Sequence, residues 1–142
     1  MDLLSKYIVV KFLKFPVIII PHFFYLIPVR NKAVEYGLFH SFSHDLYIII
    51  GLAILFLLYI IFKVDRKNTL ELYGYYLILS GAMGNFIDRI INGAVTDFLT
   101  FSFFPYSFNI ADTIICIGIG IILLDSFLNF LKKDKENASN SV

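Results

Sequence analysis

Three long apolar stretches dominate the hydrophobic pattern of the chain. The first, LYIIIGLAILFLLYIIF, runs from Leu46 to Phe62 without a charge. A helix of about 17 residues spans about 25 Å, which approaches the thickness of the hydrocarbon core of a bilayer. The pattern therefore predicts transmembrane helices over residues 46–63, 70–88 and 110–131, followed by a polar, disordered cytoplasmic tail over residues 132–142.

Basic residues follow the first and the third of these stretches, within residues 63–67 and 132–135. Because two spans separate the two basic clusters, both lie on the same side of the membrane. The positive-inside rule makes that side the cytoplasm. Residues 1–45 and the stretch between Asp88 and Asp112 are then predicted to lie outside the cytoplasm.

The N-terminal segment has a different pattern. Its stretch KFPVIIIPHFFYLIPVRN contains Pro16, Pro21 and Pro28. Prolines at this density break helices and central strands, but they are compatible with short edge strands joined by turns. We therefore predict that residues 1–45 form a small extracytoplasmic β-sheet. The alternative is a short irregular span over residues 15–29.

The composition also indicates a membrane protein. Hydrophobic residues make up 58% of the 142 residues and charged residues 16%, and a soluble globule of this size has no core large enough for that surplus. The predicted fold class is a polytopic α-helical membrane protein with three transmembrane helices, in which residues 1–142 form one membrane-embedded domain. The net charge of +1 and the scattered basic residues argue against a nucleic-acid partner, and we expect a monomer.

Three aspartates lie in or beside the apolar stretches, where an ionised carboxylate costs about 3 kcal/mol or more unless it is paired or hydrated. Asp88 precedes Arg89, and such a pair is an ordinary way to end a helix at the interface. Asp97 and Asp112 have no such neighbour, because residues 98–111 carry no charge. Two carboxylates without a local cation indicate a proton relay, a cation site or an acid–base dyad that shares one proton.

A metal site is not indicated by the spacing of the possible ligands. His22, His40 and His44 have no ligand-like spacing with a carboxylate or with the single cysteine, Cys116. A lone cysteine within an apolar run is more typical of packing than of nucleophilic chemistry.

The segments GNFIDRIINGAVTDF and FPYSFNIADTIICIGIGIILLD resemble lipoprotein signal peptidase, or signal peptidase II, a family of aspartic endopeptidases of the bacterial cytoplasmic membrane. The family pattern is Gly-Asn, two residues, Asp-Arg, then Gly-x-Val-x-Asp-Phe, and later Phe-Asn-x-Ala-Asp. The chain matches this pattern at Gly84, Asn85, Asp88, Arg89, Gly93, Val95, Asp97, Phe98, Phe108, Asn109, Ala111 and Asp112. Weaker matches upstream are Asn31, Gly37 and Phe39 in NKAVEYGLF, and Asp2 and Lys6 in DLLSKY.

By this resemblance, Asp97 and Asp112 are the catalytic dyad that activates a water molecule, and which of the two acts as base is left open. The resemblance also implies a polar shell that positions substrate and dyad, formed by Asn31, Asn85, Arg89 and Asn109. It implies a supporting structural group, formed by Asp2, Lys6 and Asp88. It implies no metal and no cofactor.

The implied substrate is a bacterial prolipoprotein whose lipobox cysteine already carries a diacylglyceryl group, cleaved just before that cysteine. The implied location is the inner membrane, with membrane lipid as a further partner and the active site on the extracytoplasmic face. Two other functions stay open. One is a small membrane subunit that transports protons or cations with the same aspartates, and the other is an inactive, truncated homologue.

The chain departs from the family pattern in two places. The family has four spans, with its Asp-x-x-Ser/Thr-Lys element at the outer end of the first, whereas here that element begins at Asp2. We therefore predict that the first span is absent, which a mis-chosen start, a truncation or a genuinely shorter protein would each produce. In addition, the family's glycine, alanine and phenylalanine are replaced by Ala33, Glu35 and Tyr36. A charged Glu35 changes the strand expected to face the substrate.

Overall fold

The computed structural model describes residues 1–32 and 43–139. Its elements are α1 (Asp2–Phe12), β1 (Val17–Ile20), β2 (Phe24–Asn31), α2 (Ser43–Lys63), α3 (Thr69–Asn92), β3 (Val95–Phe101), β4 (Ser107–Phe108) and α4 (Ile110–Ser139). Five positions named among the weaker family matches and the departures lie outside the described residues: Ala33, Glu35, Tyr36, Gly37 and Phe39.

Two helices are long and apolar enough to cross a membrane. They cover Asp45–Lys63 in α2 and Ile110–Asp134 in α4, with mean hydropathies of 2.6 and 2.3. Only 11% and 6% of their most apolar windows are buried inside the protein, so these helices are not the core of a soluble domain. Their apolar surfaces face outward, as in an integral membrane protein.

The predicted middle span is a helix, α3, but it does not meet the same criterion among the described residues. Glycine and tyrosine residues along α3, with Asp88 and Arg89 near its end, lower its hydropathy. Two of the three predicted spans, α2 and α4, therefore meet the criterion, and α3 packs between them.

Helices α3 and α4 run antiparallel and in close contact. At one end, Asn68 Nδ2 donates a hydrogen bond to Asp125 Oδ2 at 2.9 Å, and at the other end Asn85 Nδ2 donates to Asp112 Oδ1 at 2.7 Å. Small residues allow this approach: a Cβ atom added to Gly81 would lie 2.5 Å from the carbonyl oxygen of Ala111. The pairing places the start of α4 beside the last turns of α3.

A four-stranded antiparallel sheet, in the order β1-β2-β3-β4, covers this end of the helices. The prediction that the N-terminal segment forms strands is confirmed for β1 and β2, so the alternative of an irregular span over residues 15–29 is wrong. Pro28 lies where the pairing of β2 with β3 shifts register, between Leu26 and Val29. Such irregularities accommodate a residue that cannot donate a ladder hydrogen bond.

The prediction was wrong about where the sheet comes from. Residues 2–12 form helix α1 rather than strands, because the turn-forming prolines all lie downstream of it. Half of the sheet, β3 and β4, comes from residues 95–108. For this stretch the sequence predicted a location outside the cytoplasm and no strands.

Two predicted helix ends also differ from the structure. Helix α3 continues past Asp88 and Arg89 to Asn92, and Gly93 ends it in the left-handed region with φ +70°. Helix α4 continues to Ser139, so the expectation of a disordered tail from residue 132 is wrong up to that point. The turn at Gly93 is what sends the chain from α3 back into β3.

Candidate active site

The structure brings the two sequence-predicted carboxylates to either side of one residue, Asn109. Asp97 lies in β3 with 3% of its surface exposed, and Asp112 lies in the first turn of α4. The side-chain amide of Asn109 donates to Asp97 Oδ1 at 2.6 Å, and its backbone N–H donates to Asp112 Oδ2 at 3.0 Å. The two aspartates, which are 15 positions apart in sequence (112 − 97), are therefore bound to the same residue.

The sequence NIAD explains why Asp112 is held there. Asn109 Oδ1 accepts a hydrogen bond from the backbone N–H of Asp112 at 3.0 Å, while Asp112 Oδ2 accepts from the backbone N–H of Asn109. This reciprocal pair is a capping box at the N-terminus of α4. It fixes both side chains and places the Asp112 carboxylate at the positive end of the helix dipole.

Two further amides complete the shell. Asn31 Nδ2 donates to Asp97 Oδ2 at 2.9 Å, and Asn85 Nδ2 donates to Asp112 Oδ1. Asn31 reaches Asp97 because it is a diagonal neighbour on the same face of the sheet, given that Asp97 pairs with Val29. All four carboxylate oxygens of the two aspartates thus accept a hydrogen bond from a donor in the described structure.

A buried cation from α1 lies behind this shell. Lys6 is 2% exposed, and its Nζ lies 2.6 Å from Asn85 Oδ1, 2.8 Å from Asp2 Oδ2 and 3.7 Å from Asp88 Oδ2. The charge pattern of residues 98–111 indicated no cation between the two aspartates, and Lys6 was named only as a supporting residue by resemblance. The signal was present in DLLSKY, since a helix places positions 2 and 6 on one face.

The two supporting carboxylates of this group also hold backbone. Asp2 Oδ1 accepts from the backbone N–H of Ala111 at 2.9 Å, which ties α1 to the first turn of α4. Asp88 Oδ2 accepts from the backbone N–H of Thr96 at 2.7 Å, which fixes the start of β3 one residue before Asp97. Both contacts position the elements that carry the dyad.

Arg89 belongs to the same site but is bound differently. Its backbone carbonyl accepts a hydrogen bond from the hydroxyl of Tyr47 at 3.3 Å, a contact that no sequence pattern predicts. Its Nε atom is buried and makes no hydrogen bond to the described residues. The guanidinium is within electrostatic reach of Asp97 and Asp112, so one donor at the dyad is left for another partner.

Burial raises the pKa of the Asp97 carboxyl above its usual range. The amides of Asn31 and Asn109 act in the opposite direction, because they stabilise the ionised form. The charge of Asp112 raises the pKa of Asp97 further and that of Lys6 lowers it, and burial is the largest of these effects. At this site a carboxyl group is able to keep a proton at a pH where an exposed aspartate has lost it.

No cluster of three or more histidine, cysteine, aspartate or glutamate side chains in residues 1–32 and 43–139 is arranged to hold a metal ion. The donors around the dyad are amides and backbone N–H groups, which bind carboxylates. What the arrangement can do is hold two carboxyl groups close together in different environments, which suits general acid–base chemistry.

The chain is similar to known proteins over most of its length. Residues 1–128 match a family model described as Signal peptidase (SPase) II. The chain is similar to the lipoprotein signal peptidase of Caldanaerobacter subterraneus subsp. tengcongensis, at 36% identity over 86% of this chain and 85% of the relative. It is also similar to that of Haemophilus influenzae, at 40% identity over 93% of this chain and 82% of the relative.

A solved structure of a bacterial membrane enzyme superposes with a TM-score of 0.78 at 32% identity, covering 87% of this chain and 83% of that one. A second such structure gives a TM-score of 0.76, covering 96% of this chain and 83% of that one. The chain therefore belongs to the signal peptidase II family, the aspartic peptidases that process lipoproteins.

Proposed function

We propose that this protein cleaves diacylglyceryl-modified bacterial prolipoproteins just before the lipidated cysteine, with a water molecule activated by Asp97 and Asp112. The observation that carries the proposal is the bridge through Asn109, whose amide and backbone N–H bind one carboxylate each. Two carboxyl groups held this way, one of them buried in a strand, can share one proton and supply a base and an acid together. Hydrolysis of a peptide bond needs both.

The arrangement of the helices supports a membrane-bound substrate. The dyad lies at the end of α3 and α4 that is covered by the sheet, while the basic residues after α2 lie at the opposite end, where Asn68 contacts Asp125. The positive-inside rule then puts the dyad at the extracytoplasmic face of the inner membrane. A substrate with an apolar signal helix and two acyl chains would present its scissile bond at that depth while its lipid stays in the bilayer.

Arg89 is suited to hold the substrate. Its buried Nε has a hydrogen to donate and no partner among the described residues, which is costly unless a ligand provides one. A carbonyl group of the peptide beside the scissile bond would be that partner.

The test is processing of a synthetic prolipoprotein by the purified full chain in micelles. Lipidated substrate should be cleaved and its unlipidated form should not. Asp97→Asn and Asp112→Asn should each lower the rate by about 10³-fold or more, since neither amide can take or give the proton. Asp134→Asn, which removes the same charge from the exposed cytoplasmic part of α4, is the matched control and should cleave normally.

The same experiment separates the other functions. If neither lipidated nor unlipidated substrate is cleaved by the folded wild-type chain, the protein is an inactive homologue. If cleavage is absent while proton or cation flux into vesicles depends on Asp97 and Asp112, the carboxylates serve transport. Equal cleavage by wild type and both aspartate variants would reject the dyad.

A further inference from the structure

A cavity lies on the face of the sheet that points away from the dyad. Arg30 of β2 pairs with Thr96 of β3, and Val29 pairs with Asp97. Paired residues point to the same face of a sheet and successive residues to opposite faces, so Arg30 and Thr96 face away from Asp97. The cavity on their side has a volume of about 260 Å³. A second cavity of about 140 Å³ adjoins it, since both are lined by Val10, Arg30 and Thr96.

One wall of the larger cavity is an apolar stripe on α1, formed by Leu3, Tyr7 and Val10 and called here the α1 stripe. Spacings of four and three residues place these side chains on one face of the helix. Ile91 of α3 continues the apolar lining. The four side chains are between 40% and 70% exposed, so the described chain leaves this apolar surface uncovered.

The α1 stripe leads towards the end of the helices that the sheet covers. A Cβ atom added to Gly84 would lie 2.8 Å from Asp2 Oδ2, and Lys6 Nζ lies 3.7 Å from Asp88 Oδ2. Four residues along α1 therefore correspond to four residues along α3, and the two helices run in the same direction here. The last residue of the stripe, Val10, lies beside the sheet, about 10 Å further along than the first.

Positive charge without a counter-charge lies at this end of the stripe. Arg30 is exposed, and its guanidinium makes no hydrogen bond or ion pair with the described residues. Lys11 Nζ lies 3.1 Å from the hydroxyl of Tyr7, so a second cation is at the rim of the cavity. The acidic residue that lines the cavity, Asp88, is 2% exposed and already faces the ammonium group of Lys6. The cavity therefore presents a net positive charge beside its apolar wall.

An apolar stripe that leads to an unmatched guanidinium fits the chemistry of a phospholipid. A guanidinium binds two oxygens of a phosphate diester at once, and an acyl chain covers apolar side chains. The hydroxyl of Thr96, which makes no hydrogen bond within the described residues, is a further donor for a phosphate oxygen. A zwitterionic head group would bring its own cation close to Lys11, so a lipid with a net negative charge fits better.

We propose that this cavity binds an anionic phospholipid, with its phosphate on Arg30 and one acyl chain along the α1 stripe. The bound lipid packs α1 against α3 and β3. Because α1 carries Lys6, which binds Asn85 of the candidate active site at 2.6 Å, the lipid supports that site from the opposite face of the sheet. The lipid site is separate from the place of the scissile bond, so this inference does not depend on the proposed function.

The test uses a single tryptophan as a reporter, because the chain has none of its own. Leu3→Trp places the reporter in the α1 stripe, and Leu4→Trp places it at the next position, which is 60% exposed and does not line the cavity. The full chain is reconstituted in phosphatidylcholine vesicles that contain acyl-brominated phosphatidylglycerol or, in parallel, acyl-brominated phosphatidylcholine. Bromine on a neighbouring acyl chain quenches tryptophan fluorescence, so the quenching reports which lipid lies beside the reporter.

The reporter in the α1 stripe should prefer phosphatidylglycerol over phosphatidylcholine by about fivefold or more, the ratio expected for one cation beside an anionic lipid. The reporter in Leu4→Trp should show no preference. In the Leu3→Trp chain, Arg30→Gln should remove the preference. Lys14→Gln removes the same charge from an exposed residue of the same segment that does not line the cavity, and it should keep the preference.

A second pair of variants changes the shape of the cavity and leaves its charge intact. In the Leu3→Trp chain, Val10→Phe narrows both cavities and should remove the preference even if Arg30→Gln fails to fold. Ile8→Phe adds the same ring to a residue of α1 that is 46% exposed and does not line the cavity, and it should have no effect.

Three results would overturn the proposal. Equal quenching by the two brominated lipids in Leu3→Trp would mean that only bulk lipid lies there. Equal losses in Arg30→Gln and Lys14→Gln would mean that the basic segment attracts anionic lipid without a site. Displacement of the brominated lipid by lipidated prolipoprotein would assign the cavity to the substrate. The quenching needs no peptide cleavage, so failed processing with an intact lipid preference would reject the proposed function alone.

Discussion

Gly118 of α4 lies against the backbone of Gly74 of α3, so that a Cβ atom added to Gly118 would be 2.6 Å from the carbonyl oxygen of Gly74. Backbone cannot move aside as a side chain can. We therefore expect Gly118→Ala to separate the two helices and to lower the free energy of unfolding by about 1–3 kcal/mol, as measured by thermal unfolding in micelles.

The control lies two residues away on the same helix. A Cβ atom added to Gly120 has nothing within 4 Å, so Gly120→Ala should be neutral or slightly stabilising, since alanine is the better helix former. Equal destabilisation by both variants would mean that helix flexibility, and not the contact between α3 and α4, is what the glycines provide.

Gly93 is a second glycine with a specific role, and its role is conformational. Its φ of +70° ends α3, and an added Cβ atom would meet nothing within 4 Å. Gly93→Ala should therefore cost about 1–2 kcal/mol of folding stability from backbone strain alone. Gly93→Asn should cost less, because asparagine tolerates this conformation. Unfolding midpoints that are lowered equally by alanine and asparagine would point to a steric cause instead.

Asp2 fastens α1 to the start of α4 through a hydrogen bond with the backbone N–H of Ala111, and within α1 it forms an ion pair with Lys6. Asp2→Ala removes both and should destabilise the protein by about 1–3 kcal/mol, because it leaves the backbone N–H of Ala111 without its partner. Asp2→Asn keeps an oxygen for that N–H and loses only the charge, so it should cost less. Protease cleavage within α1 measures the detachment directly, and cleavage that is unchanged in Asp2→Ala would exclude this role.

The fold was predictable where one pattern decides the structure. The uncharged run from Leu46 to Phe62 is long and apolar enough to be stable as a helix in lipid, and α2 forms there. The prolines between residues 16 and 28 exclude a helix, and β1 and β2 form there. In contrast, β3 depends on pairing with β2, which is distant in sequence. At their contact, Asn31 and Asp97 are 66 positions apart. No local pattern in residues 95–101 indicates that partner.

The residues of the candidate site could be proposed from the sequence, but the hydrogen bonds that join them could not. Resemblance picked out the residues, and the structure shows what joins them: Asn109 bridges the aspartates and Asn85 links Asp112 to Lys6. Hydrogen-bond partners across four elements leave no periodic trace in a sequence. Helix α1 was not predicted, because the prolines downstream of it were taken to indicate strands throughout residues 1–45.

The raised pKa of Asp97 has a consequence for stability that needs no substrate. A carboxyl whose pKa is higher in the folded than in the unfolded state binds its proton more tightly when folded. Its stabilising contribution is complete below the unfolded value, about 3.9, and is lost as the pH rises through the raised folded value. Wild type should therefore lose thermal stability over the pH range just above 4, relative to a variant that lacks this group.

Asp97→Asn is that variant, because an amide does not titrate. Its absolute stability will also change, since Asn31 and Asn109 both donate to this side chain and an amide has one oxygen to accept them. The readout is therefore the slope of the melting temperature against pH, which should be less negative in Asp97→Asn than in wild type. Asp134→Asn makes the same charge change at an exposed site and should keep the wild-type slope. Burial and hydrogen bonding act on the pKa of this carboxyl in opposite directions. A slope that is more negative in Asp97→Asn than in wild type would therefore mean that the amide donors outweigh burial and that Asp97 is ionised over this pH range.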